Sequence, residues 1–203
     1  MLSSITPLGE RGRGNRWALT AAAYVVASTA GGLLAGAVLG LAGLALRTAA
    51  HPPPAAVFYV IAVVCLAALA VDLRGAPRLP TTRRQVNEQW LDAYRGWVYG
   101  AGFGFQLGLG LVTIVTTAAV FAMACLAVLA GLAGYLGGAT VIGAVFGLAR
   151  ALPILAFAGA SDWPSLQRRH RRLHAAAGGA RLAAAVVLGA VAVTAVALAL
   201  TVA

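Results

Sequence analysis

Residues 17–46 read WALTAAAYVVASTAGGLLAGAVLGLAGLAL, thirty positions without a charge, bounded by Arg16 and Arg47. Such a run exceeds the roughly 20 apolar residues that cross a bilayer core of about 30 Å. It is also far longer than the about 7–15-residue apolar region of a cleavable leader. It therefore predicts a retained spanning helix, entered from a cytoplasmic N-terminal tail.

The same reading extended along the chain gives five spans, at 18–46, 55–72, 98–130, 137–160 and 182–203. The expectation is an all-α, polytopic membrane helix bundle, a single integral membrane domain over 1–203. The inner connections are an amphipathic one at 73–97 and a basic one at 161–181.

Composition agrees. Of 203 residues, 61% are hydrophobic and only 10% charged, against about 25% charged in soluble domains. Mean hydropathy is +0.89. The net charge of +10 comes from fifteen arginines and no lysine against five acids. These arginines lie in short connections, the pattern of topology and of anionic headgroups and not of nucleic-acid binding. Three lie in the N-terminal tail, five in 73–97 and five in 161–181, against Arg47 alone on the other side. The asymmetry predicts the N-terminus inside and the C-terminus outside. Arginine-only, Ala- and Gly-rich usage points to a GC-rich bacterium and its cytoplasmic (inner) membrane.

Two spans are too long to be simple, since 30 residues make a helix of about 45 Å. They must tilt, extend past the core or break. Ser28, Gly32, Gly36 and Gly40 recur at four-residue steps, a small-residue stripe that brings helices close. Both long spans open on similar residues, Arg13-Gly14-x-x-Trp17 and Arg95-Gly96-Trp97, as an internal duplication would leave them. His51-Pro52-Pro53-Pro54 reads as a stiff outer connector. Residues 81–97 read as a helix on the inner surface, with Val86, Trp90, Tyr94 and Trp97 on one face at headgroup level.

Arg150 is the sharpest functional signal. It lies in an apolar stretch with no acid before Asp162. A cation inside a span is costly and marks a cavity, a bound anion or a structural role. Pro153 removes the helical bond to the Ala149 carbonyl and predicts a kink. Within 98–130, Gly102, Gln106, Gly110, Thr113 and Thr117 share one helical face. With Arg150 they form the candidate substrate-binding set, Arg150, Gln106, Thr113 and Thr117. Pro153, Gly102 and Gly110 are candidate hinges. Packing is the competing role for that face.

Cys65 and Cys125 are a candidate redox pair, which requires Cα atoms within about 7 Å; buried cysteine otherwise serves as a small hydrophobe. His170 and His174 have the spacing of a two-ligand metal site, but four arginines surround them, so no metal is expected. No catalytic triad, phosphate loop or paired carboxylate occurs. No cofactor and no catalytic residue is expected, and enzyme activity is disfavoured.

The glycine-rich helices, the basic central connection and Gly102-Phe103-Gly104-Phe105-Gln106-Leu107-Gly108-Leu109-Gly110 resemble the lysine-exporter superfamily. That grouping holds small exporters and the thiol-electron carriers of cytochrome c biogenesis. The resemblance implies a transporter or exporter of a small polar or anionic solute. The alternative it implies is a thiol–disulfide electron carrier serving a thioredoxin-like partner. A non-catalytic assembly or anchoring subunit, or a homo-oligomer, is the third expectation.

Overall fold

In the computed structural model, residues 5–74, 90–110 and 119–202 are described. Every regular element among them is helical. Four helices are long and apolar enough to cross a membrane: Trp17–Ala50, Pro54–Leu73, Leu136–Phe157 and Trp163–Val202. This is the all-α multi-pass membrane protein that the hydropathy predicts.

The chain opens on a short helix, α1 (Pro7–Gly12). Thr6 caps it, its Oγ1 accepting from the Gly9 N–H at 3.1 Å, and Pro7 supplies a preset φ in the first turn. Gly14 at φ 71° then turns the chain into α2 (Trp17–Ala50). At 34 residues α2 is unbroken, about 51 Å of helix. The expected proline connector follows. His51 takes φ 41°, Pro53 is extended, and Pro54 starts α3 (Pro54–Leu73).

The third expected span is described as two pieces of 14 residues, α5 (Gly96–Leu109) and α6 (Ala119–Leu132). α5, about 21 Å long, is short of the hydrocarbon core. The first ends because Gly110 adopts φ 75°, a left-handed stop. Thr113 and Thr117 lie outside the described residues.

The expected surface helix 81–97 is interrupted before Trp97: among the described residues α4 (Trp90–Ala93) ends before Arg95, whose extended backbone caps α5. The Gly96 N–H that would continue α4 bonds to Asn15 Oδ1 at 3.3 Å instead. Tyr94 and Trp97 are exposed as headgroup aromatics would be; Val86 lies outside the described residues.

The basic connection 161–181 is helical and runs without a break into the last span. It is the first half of α8 (Trp163–Val202), a 40-residue helix. Asp162 and Ser165 cap its start reciprocally: the Ser165 N–H donates to Asp162 Oδ1 at 2.7 Å and the Asp162 N–H to Ser165 Oγ at 3.3 Å. Alanine-rich sequence carries the helix on through Gly178 and Gly179.

Contacts divide the chain into two compact units. One comprises Met1–Gly32, Thr82–Ile114 and Ala144–Ala177. Its core joins Tyr24 of α2, Tyr99 and Phe103 of α5, and Ala151 and Ile154, with Ile5 from the N-terminal segment. The other comprises Leu33–Thr81, Val115–Gly143 and Gly178–Ala203. There α3 and α6 pack together, and Ala62, Cys65 and Ala68 meet Ala122 and, from α8, Leu188, Ala192 and Ala195.

Candidate functional site

Glycine sets the spacing in the first unit. Gly100, Gly104 and Gly108 of α5 lie against the backbone carbonyls of Thr20, Tyr24 and Ser28 of α2, where an added Cβ would overlap those oxygens. From α7 (Leu136–Ala151), Gly147 abuts the same Ser28 carbonyl. Ser28 is fully buried, and its Oγ donates to the Gly147 carbonyl at 2.7 Å. A buried hydroxyl so placed finds the acceptor that lipid would not supply. The expected stripe on α2 is therefore packing: Ser28 and Gly32 lie against Gly108 of α5, and Gly36 and Gly40 against Ala139 of α7.

This close packing delivers Arg150, in the last turn of α7, to the C-terminal end of α5. Arg150 Nη1 donates to the Leu107 carbonyl at 3.2 Å and to the Gly110 carbonyl at 3.5 Å. Those are terminal helix carbonyls, the negative end of the α5 dipole, where a cation is favoured. The guanidinium carbon also lies 5.3 Å from the Phe146 ring centroid, within cation–π range. Instead of a kinked α-helix, Pro153 sits at the start of a 3₁₀ helix, Leu152–Phe157, that continues from α7. Fixed φ and a missing N–H suit that first turn.

Of the expected set, then, Arg150 and the hinge candidate Gly110 come together. Gln106 is half-buried on α5, one residue before the Leu107 carbonyl that Arg150 binds. Gly102 is half-buried on the same helix. In the second unit Cys65 is fully buried and Cys125 is exposed, both as free thiols. No cluster of three or more metal-ligating side chains occurs among the described residues.

A second polar constellation in the first unit escaped the sequence reading. Glu10 of α1 is fully buried. Its Oε1 accepts from Arg13 Nη2 at 2.7 Å and from the Tyr99 hydroxyl; its Oε2 accepts from Thr20 Oγ1 at 2.9 Å. Asn15 Nδ2 donates to the Tyr99 oxygen at 3.3 Å. Burial lowers the Arg13 pKa, but the Glu10 carboxylate and the Tyr99 hydroxyl more than reverse this and leave it above its ordinary value. Thr6-Pro7 followed by an acid and, three residues on, an arginine was the available signal of a capped helix. Nothing local told that Glu10 would turn inward.

The chain is 32% identical over 156 residues to the methylamine utilization protein MauF of Paracoccus denitrificans, a match covering 75% of this chain and 55% of that protein. It spans about half the length of the curated relative it matches. No family model matches, and no solved structure matches.

Proposed function

We propose that this membrane protein passes a small polar or anionic solute across the bilayer, with Arg150 as the residue that attracts it. The observation that carries this reading is the guanidinium held against two neutral carbonyls at the end of α5. Those oxygens orient the guanidinium donors. A solute carboxylate or oxyanion competes for the same N–H donors and brings a full negative charge. Its arrival would release the Leu107 and Gly110 carbonyls, and so release the end of α5 at Gly110. Gln106 would add an amide contact.

The likeness to MauF suggests service in the utilisation of small amines. A fixed cation opposes the passage of an alkylammonium ion, so an anionic or zwitterionic solute of such a system fits Arg150 better than the amine itself. The resemblance to exporters points the same way.

Flux into liposomes tests this, using small carboxylates, sulfite and zwitterionic amino acids, with methylammonium as the cationic control. At least one anion or zwitterion is expected to move, and Arg150→Gln is expected to slow it at least tenfold with the helical content retained. Equal flux in both proteins, or movement of methylammonium alone, overturns the proposal.

A further inference from the structure

On the first unit, a cavity of about 470 Å³ opens between the start of α8 and the 3₁₀ helix. Its volume falls in the range of small-ligand sites, about 300–1,000 Å³. One wall is a stripe of α8, Trp163, Leu166, Gln167, His170 and Arg171. Those positions recur at intervals of three and one, a single helical face. Phe157 forms the facing wall, buried and stacked on the His170 ring with centroids 6.3 Å apart. The two walls are tied together, since Arg169 Nη1 donates to the Ala156 carbonyl at 3.0 Å. The groove therefore exists before any ligand arrives.

Its chemistry is graded. Phe157, Trp163 and Leu166 make one end apolar, and Gln167, His170 and Arg171 make the other polar and cationic. Leu152 and Leu155, shortly before Phe157, are exposed apolar side chains, as is Trp163. In a membrane protein these are lipid-facing, and an exposed tryptophan favours the headgroup level. Arg168 and Arg172 flank the cationic end in sequence. The occupant with that combination, an apolar body joined to an anionic head at the bilayer surface, is an anionic phospholipid. We infer that this groove binds one anionic phospholipid, its phosphate against Arg171 and its glycerol and first methylenes against Phe157, Trp163 and Leu166. This site is separate from Arg150 and does not depend on the transport reading.

Native mass spectrometry of the full chain in detergent, titrated with phosphatidylglycerol or phosphatidylcholine, tests the inference. The expected result is one phosphatidylglycerol held at least fivefold more tightly than phosphatidylcholine. Arg171→Gln is expected to abolish that preference, and Arg181→Gln, the same charge change elsewhere on α8, to leave it intact. Leu166→Trp, which fills the groove without altering its charge, is expected to weaken phosphatidylglycerol binding at least fivefold. Equal binding of the two lipids, or equal loss in Arg171→Gln and Arg181→Gln, overturns the site. So does displacement of the lipid by millimolar inorganic phosphate, which would assign the groove to a water-soluble anion.

Discussion

At the scale of single residues, two charges are brought inside the first unit and are handled differently. Glu10 is paired and triply hydrogen-bonded, so its removal leaves Arg13 and the hydroxyls of Thr20 and Tyr99 without the acceptor they share. Breaking a buried pair by deleting one partner costs about 3–5 kcal/mol. Glu10→Ala is expected to destabilise the first unit by that order, read as a lower unfolding midpoint in detergent. Glu10→Gln keeps the shape and is expected to lose less. Arg150 is held by helix-end carbonyls, and its substitution tests function more than stability. Asp162 is a capping carboxylate at the surface, held below its ordinary pKa first by the Ser165 N–H and then by the Ser165 hydroxyl. A depressed pKa means that the cap contributes above the unfolded value of about 3.9 and is lost as pH falls through the folded one. Amide protection in the first turn of α8, relative to the intrinsic exchange rate at each pH, should therefore fall below about pH 4 in the native chain, whereas in Asp162→Asn it should show no such step.

Helix by helix, the glycines separate into two classes that composition does not distinguish. Gly104 lies on the Tyr24 carbonyl, and Gly178 faces open space. Gly104→Ala forces α5 away from α2 and is expected to cost about 1–3 kcal/mol through overpacking. Gly178→Ala meets nothing and is expected to stabilise α8 by up to about 1 kcal/mol, since alanine is the better helix former. Thermal unfolding of the two variants gives opposite signs if this assignment holds. Much of this level was legible beforehand. The α2 stripe, the proline connector and the end points of α3 follow from periodicity and fixed φ. Two boundaries were not, one of them because it is set by a partner distant in sequence. Asn15 takes the Gly96 N–H and ends the amphipathic turn. In α8 the helix starts at the Asp162 and Ser165 cap, well before the apolar run expected from 182 begins.

For the whole molecule, the expected topology places the N-terminus inside and the end of α8 outside. A phosphatase reporter joined at the end of α8 should be active, and one placed in the 73–97 connection silent. The two thiols offer a check on packing. Cys125 is exposed and Cys65 lies in the core of the second unit. A membrane-permeant maleimide should label one cysteine per chain in the native protein and two after denaturation. Labelling of both at equal rates would contradict the packing of α3 against α6.

Hydropathy alone determined that this chain is helical and carries several segments long and apolar enough to cross a membrane. Those are properties of solvent transfer, which acts on each segment by itself. Hydropathy also located Arg150, because a charge in an apolar run is visible without a fold. Only the tertiary structure decided what that charge touches, since the Leu107 and Gly110 carbonyls lie some forty residues away in sequence. It alone turned Glu10 inward, onto residues of α2 and α5. Hydrogen bonds and close packing are set by which backbones approach, and in the first unit that approach is set by glycines whose role depends on the helix opposite.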